Sequence, residues 1–239
     1  MKNKLRQPKI NFSQPKSIIM KISFVTNCLI ILFLSNCLFA QPRFKSKDNR
    51  LESFEAVKEM KYNGVLIVRL KTNYVKISAL EKELSNTAIK PARKKRIQGI
   101  LAETIKRRDA LNETMAAAFL DSFSFCPVYL SYDTSANSLK NGIRKGIFLN
   151  NSLQIDPEIS IPDTAKVFIA YYHDKSGNYP SDGLMIRKLL SELAEPFPHY
   201  TAVKESFLND VNTPKLRKVI LVLDNRLRSL LARAEKREK

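Results

Sequence analysis

The sequence predicts a single α/β or α+β domain with a mixed β-sheet of about three to six strands, flanked by helices. Residues 65–70 and 123–133 are apolar on both faces, which is typical of strands covered on both sides, and residues 165–174 are predicted to form a third strong strand. Residues 92–120 and 214–239 instead repeat their apolar positions with a helical period. The hydrophobic fraction of 44% fits one globular domain with an additional N-terminal segment.

The first 40 residues have the three parts of a secretory signal peptide. Six basic residues and no acidic residue start the chain, and no charge lies between Ile22 and Pro42. Leu38-Phe39-Ala40 supplies a small residue at the end of the apolar segment. We therefore expect residues 1–40 to be removed, which makes Gln41 the first mature residue.

Other N-terminal arrangements remain open. Translation could start at Met20, Cys37 could be lipidated, or the apolar segment could stay as a membrane anchor, because roughly 20 apolar residues span a bilayer. Residues 41–61 are expected to form an N-terminal arm or short helix, and residues 62–239 the α/β domain. The expected location is the periplasm or cell envelope, or the exterior after secretion.

Charge and cysteine content limit the function classes. The formal net charge is +18, and about +12 remains without the six leader cations. Such a charge favours phosphates, acidic glycans, anionic surfaces or another envelope protein as partners, but it is also ordinary for a basic exported protein. Nucleic acid is not the expected partner. After cleavage only Cys126 remains beside two histidines, so neither a disulfide, a Cys/His zinc site nor any cofactor is expected.

The first half of the domain is predicted to contain a strand, a helical connection and a second strand. Residues 51–60 could form a short helix, and residues 65–70 form the first strand. Two helices follow, over 73–86 and 92–120, with Pro91 at the start of the second. We expect these two helices to form a hairpin that connects the first two strands.

The middle of the chain is predicted to be mainly strand. The segment 123–133 is apolar on both faces, yet it contains a proline, which a bulge at Cys126-Pro127 would reconcile. Residues 145–157 are predicted to form a β-hairpin with Asn150-Asn151 at the turn. Residues 165–174 form the third strong strand.

In the last third of the chain, the pattern of apolar residues does not settle the secondary structure of every segment. Residues 184–193 fit a strand or a helix equally well, and the prolines of 195–200 predict an extended segment. Residues 201–209 could form a short helix. The apolar period of 214–239 predicts a helix that docks on the sheet, although 218–223 alone could be a strand.

Two candidate sites follow from these elements. His173, Asp174 and Asp182 flank a polar loop after a strand, where sites are common in α/β folds, so they are candidates for a hydrolase site. A solvated turn is the alternative. Cys126 lies between aromatic residues, which favours a buried thiol over a nucleophile. No glycine-rich phosphate loop, G-x-S-x-G or H-E-x-x-H pattern occurs.

A second candidate is the basic segment Lys90–Arg108, where a phosphate-, polymer- or membrane-binding patch would use Arg93, Lys94, Lys95 and Arg96. A helical projection spreads these cations around the helix instead of gathering them on one face. A solvated helix with i,i+4 ion pairs is therefore the alternative. Arg108 projects into the apolar arc of this helix, which predicts that its guanidinium group reaches solvent or pairs with an acid.

The segments NGVLIVRLKTN (63–73), FCPVYLSYD (125–133) and EPFPHY (195–200) resemble a group of uncharacterised exported bacterial proteins. That group has a leader, a GVLLVRL-like strand and an FxFCPVYF-like strand. The resemblance implies a bacterial envelope or periplasmic setting and no particular activity. The expected function is therefore a non-catalytic structural or partner-binding role, with a hydrolase or a binder of anionic polymers or membranes as alternatives.

Overall fold

The computed structural model describes residues 47–174, 181–203 and 213–237. The proposed leader, with Met20 and Cys37, lies outside these residues. The helices are α1 (Lys47–Tyr62), α2 (Tyr74–Leu84), α3 (Pro91–Ser122), α4 (Ala136–Lys140) and α5 (Thr213–Lys236). The strands are β1 (Gly64–Leu70), β2 (Val128–Tyr132), β3 (Phe148–Leu149), β4 (Lys166–His173), β5 (Gly183–Lys188) and β6 (Tyr200–Ala202).

The strands form one mixed sheet in the order β3-β2-β1-β4-β5-β6. β1 is parallel to both β2 and β4, whereas β3, β5 and β6 join by antiparallel pairing. This confirms the predicted α/β class, with six strands in the described residues. None of the helices in residues 47–174, 181–203 and 213–237 has the length and apolarity that crossing a membrane requires.

The helical hairpin α2–α3 joins β1 to β2, as predicted. Pro91 lies in the first turn of α3, where a proline costs no hydrogen bond because the first amides of a helix lack intrahelical acceptors. α2 contacts α3 along the hairpin, and its one buried residue is Ile77. The outer part of this hairpin is therefore mostly solvent-exposed.

The main core lies between one face of the sheet and helices α1, α3 and α5. α5 contributes Leu216, Ile220, Leu223, Leu227 and Leu230 at helical spacing, all of them buried. Leu221 and Val222 are 49% and 51% exposed. The alternative of a strand over 218–223 is therefore wrong, because only a helix buries these positions and leaves their neighbours in water.

A smaller core covers the opposite face of the sheet. It contains Val65 and Ile67 of β1, and it is closed by Leu139 of α4 and Ile161 of the segment before β4. The connection from β1 to β2 thus crosses one face, and the connection from β2 to β4 crosses the other. The chain goes from β1 to β2 on one side of β1, and it later crosses back to β4 on the other side of β1. The boundary between β1 and β4 is therefore a topological switch point.

The second predicted strand is shorter than expected. β2 begins at Val128, and the bulge expected at Cys126-Pro127 is wrong, because Pro127 precedes the strand. The carbonyl of Pro127 accepts the amide of Leu66 at 2.8 Å, so it pairs with β1 without needing its own donor. The preceding segment is held by α5: Asp224 accepts the Ser124 amide at 2.9 Å.

The predicted hairpin over 145–157 forms with a short ladder. β3 pairs with β2, and the return segment makes a single bridge between Leu149 and Ile155. The turn does form where it was expected. Its first residue, Asn150, accepts the amides of Ser152 and Gln154 through its side-chain oxygen, which competes with a longer ladder.

Three later segments differ from or refine the predictions. Residues 184–193 contain a strand, β5, and no helix. The segment 195–200 is not fully extended, because the Phe197 amide bonds the carbonyl of Ala194 at 3.0 Å and closes a turn. Residues 201 and 202 belong to β6 and not to a helix; residues 204–209 lie outside the described part. The short helix predicted over residues 51–60 forms as part of the longer helix α1.

Candidate anion-binding pocket

The carboxyl ends of β1, β2 and β4 meet at one edge of the sheet, because these three strands are parallel. Lys71 and Thr72 follow β1, Asp133 follows β2, and Asp174 follows β4. This is the edge at which open α/β sheets bind ligands. The polar residues that end the strands therefore define the candidate site.

The end of β1 is clamped from two sides. Asn112 of α3 accepts a hydrogen bond from the Lys71 amide at 3.0 Å and donates one to the Lys71 carbonyl at 2.8 Å, so this buried side chain satisfies both backbone polar groups of Lys71. Asp133 accepts the Thr72 amide at 3.1 Å and the Thr72 hydroxyl at 2.6 Å. Lys71 thus projects from a rigid backbone.

Lys71 forms an ion pair with Asp174 across the switch point. Its ammonium lies 5.4 Å from the centre of the Tyr172 ring. The Tyr172 hydroxyl donates to Asp182 at 2.9 Å. Burial, followed by the hydrogen bond and charge of Asp182, raises the pKa of Tyr172, so the phenol stays protonated and acts as a donor.

The structure thus places the three hydrolase candidates in two locations. Asp174 and Asp182 both approach Tyr172, Asp174 through Lys71 and Asp182 directly. His173 pairs with Gly183 in the ladder between β4 and β5. Strand alternation directs its side chain to the face opposite Tyr172. The two carboxylates are therefore linked through Tyr172 and Lys71, and strand alternation directs the imidazole to the other side of the sheet.

A pocket of about 620 Å³ opens between this edge and the helical hairpin. Its lining is dominated by positive charge, with five cations and two acids: Lys71, Lys76, Arg96, Arg107, Arg108, Glu103 and Asp174. Ile100 and Leu111 add apolar surface. The pocket was not expected from the sequence, since its cations come from three separate segments.

Part of this charge is neutralised within the protein. The Arg107 guanidinium donates a hydrogen bond to Glu103, one helical turn earlier. This hydrogen bond is the larger cause, and the positive charge of Arg107 the second, of a lowered Glu103 pKa. Arg108 pairs with Asp109 at 2.8 Å, which explains an arginine in the apolar arc of α3. Neither Lys76 nor Arg96 pairs with an acid within the part of the chain that the structure describes. The pocket therefore carries an excess of positive charge.

The predicted patch on α3 is divided by the structure. Arg93 bonds Glu83 of α2 and ties the hairpin together. Lys94 and Lys95 are exposed on the helix outside the pocket, whereas Arg96 lines it. Sequence reasoning missed Lys71 as a site residue, although its position directly after the first predicted strand was a usable signal.

Cys126 is a buried free thiol. Burial raises its pKa to about 12, and the nearby Lys61 lowers it by less. The thiolate is therefore scarce at neutral pH, which suits a core residue. Among the described residues, no three His, Cys, Asp or Glu side chains are grouped so that they could hold a metal ion.

Comparison of the chain with protein-family models, with curated proteins and with solved structures finds no match. The chemistry of the pocket therefore carries the functional argument.

Proposed function

We propose that the protein is a non-catalytic, exported binding protein whose ligand is a small phosphate-bearing molecule held in the pocket at the switch point. The observation that carries the proposal is a concave site in which the described lining contains five cations and two acids, and in which Lys76 and Arg96 pair with no acid of the described residues. Export rests on the signal-peptide pattern of residues 1–40 and on the resemblance to exported bacterial proteins.

The surroundings of the pocket strengthen an interaction with an anion. The side chains of Lys71 and Arg108 are 29% and 26% exposed, so their charges are only partly screened by water. Arginine binds phosphate through two parallel N–H groups, and lysine binds it as a point charge. Ile100, which is 39% exposed, offers apolar surface for an organic part of the ligand.

The hydrolase alternative has weaker support. It would use Asp174 and Asp182, but Lys71 neutralises the first and the Tyr172 hydroxyl occupies the second. A general base needs a carboxylate that can reach a substrate proton. A polymer- or membrane-binding patch is supported by the exposed Lys94 and Lys95, but Arg93 is engaged by Glu83 and Arg96 lines the pocket, so the four predicted cations do not form one flat surface.

Replacing Arg96 with glutamine is expected to weaken binding of inorganic pyrophosphate about 10- to 100-fold, because a charge-assisted contact contributes about 1.5–3 kcal/mol. The matched control is Lys95→Gln, which removes one charge from the adjacent residue outside the pocket. It should change affinity by less than about threefold, since only long-range attraction is lost. Isothermal titration calorimetry measures both. Equal losses in the two variants would show binding to diffuse charge and contradict the pocket.

Replacing Asp174 with asparagine is expected to tighten pyrophosphate binding about fivefold. The carboxylate of Asp174 competes with the ligand for Lys71, and its removal relieves a repulsion of about 1 kcal/mol at the solvent-screened entrance. Glu158→Gln is the control, since Glu158 pairs with the distant Lys145. Weaker binding by the Asp174 variant would mean that this carboxylate helps to hold the ligand.

A further inference from the structure

A groove of about 730 Å³ runs between α5 and the segment that leads into β6. One wall is a ridge of α5 formed by Val222, Asn225, Arg226, Ser229 and Arg233. These positions recur every three or four residues, so they form one stripe, about 16 Å long at 1.5 Å per residue. The stripe is separate from the ridge that α5 buries in the core.

The opposite wall is held in place by the fold. It contains Pro196, Phe197 and Pro198, followed by Tyr200. The Phe197 ring is buried and stacks on Phe168, with centroids 6.5 Å apart and planes at 7°. The prolines restrict the backbone. Tyr200 donates its hydroxyl to the Ser181 carbonyl at 2.7 Å. Both walls are therefore formed before any partner binds, which lowers the entropic cost of binding.

The groove combines positive charge with an apolar strip. Among the described residues, its lining contains two arginines, Arg226 and Arg233, and one acid, Glu195. Within the described residues no acidic side chain pairs with Arg226 or Arg233; Arg233 donates Nε to the Ser229 carbonyl at 3.2 Å, which leaves its terminal nitrogens for another acceptor. The half-exposed Val222 lies along the same stripe.

The spacing of the two arginines defines a complementary ligand. They are seven residues apart on α5, so their backbones are separated by about 10.5 Å along the helix axis. In a polyproline II segment, residues three apart project to the same side and are about 9.3 Å apart. Two acidic residues at that spacing match the arginines, and apolar or proline residues between them match Val222 and the proline wall.

We propose that this groove binds a segment of a partner protein that is extended in the polyproline II conformation and carries acidic residues three positions apart. The charge complementarity of Arg226 and Arg233, and the match of groove length to about five extended residues, select this partner. The groove is a protein-interaction site that is independent of the pocket at the switch point.

The test is fluorescence anisotropy with the full-length protein and a fluorescein-labelled peptide, Gly-Glu-Pro-Pro-Glu-Gly. Binding should weaken tenfold or more in Arg226→Gln and in Arg233→Gln, and less than about threefold in the control Lys218→Gln, which lies on α5 outside the groove. The same variants should bind pyrophosphate as the wild type does, which also shows that they are folded.

Two comparisons make the outcome decisive. A peptide with the same composition but adjacent glutamates, Gly-Glu-Glu-Pro-Pro-Gly, should bind at least fivefold more weakly than the spaced peptide. The proposal is overturned if the spaced peptide does not bind, if Lys218→Gln weakens binding as much as Arg226→Gln, or if the two peptides bind equally. It is also overturned if a charge-matched oligonucleotide binds more tightly than the peptide through the same arginines.

Discussion

Replacing Gly64 with alanine is expected to destabilise the protein by about 3 kcal/mol, among the largest effects of any single methyl group in the chain. Gly64 starts β1 directly under the end of α1. A Cβ atom there would lie 2.6 Å from both the Cα and the carbonyl oxygen of Met60. These are backbone atoms, and Met60 is itself buried, so neither can move without disturbing the core. Thermal unfolding should show a Tm lower by roughly 6–12 °C.

Gly99 provides a matched control for that substitution. It lies in α3, and apart from its chain neighbours and the adjacent backbone of its own helix, a Cβ atom added there meets no atom within 4 Å. Gly99→Ala is therefore expected to stabilise the protein by about 0.5–1 kcal/mol, because alanine loses less backbone entropy in a helix. If both alanine variants lost the same stability, the close approach of β1 to α1 would not be the cause.

Replacing Asp224 with alanine is expected to cost about 2 kcal/mol. Asp224 is a buried acid on α5 that accepts the Ser124 amide at 2.9 Å and Nε of Arg228 at 2.7 Å. Arg228 also donates to the Ser124 hydroxyl at 2.9 Å. Removing the carboxylate leaves the amide without its acceptor, which costs about 1–3 kcal/mol. Arg228 is half exposed and regains water, so it adds little.

The control for the Asp224 substitution is a second acid that forms an ion pair with a residue of α5. Asp121 pairs with Arg217, and their side chains are 51% and 45% exposed. Asp121→Ala should cost less than about 1 kcal/mol, because solvent screens this pair in the folded protein. Urea unfolding of both variants measures the difference. A loss at Asp121 as large as that at Asp224 would show that burial does not decide the strength of these contacts.

The helices and central strands could be predicted because their patterns are local. The buried leucines of α5 repeat at helical spacing, and the three segments predicted as strong strands overlap β1, β2 and β4. Strand ends were harder to predict. Pro127 pairs through its carbonyl with Leu66, and Ser124 is held by Asp224 from a distant helix, so tertiary contacts decide where β2 begins.

The pocket could be predicted only in part. Arg96 and Asp174 were both candidates, but they were assigned to different sites because they lie far apart in sequence. Their meeting depends on the order of strands, which places the end of β1 beside the end of β4. Lys71 and Asn112 were missed because one ends an apolar strand and the other is a buried amide whose partner is a backbone unit 41 residues away.

The central claim, that the pocket at the switch point binds phosphate groups, is tested most directly by ¹H–¹⁵N NMR spectra recorded during a titration with pyrophosphate. We expect saturable shifts of the amides of Lys71, Lys76, Arg96 and Arg108, with the amides of Arg226 and Arg233 unchanged. Saturable shifts centred on any other surface, or shifts that follow exposed basic residues without saturation, would contradict the claim.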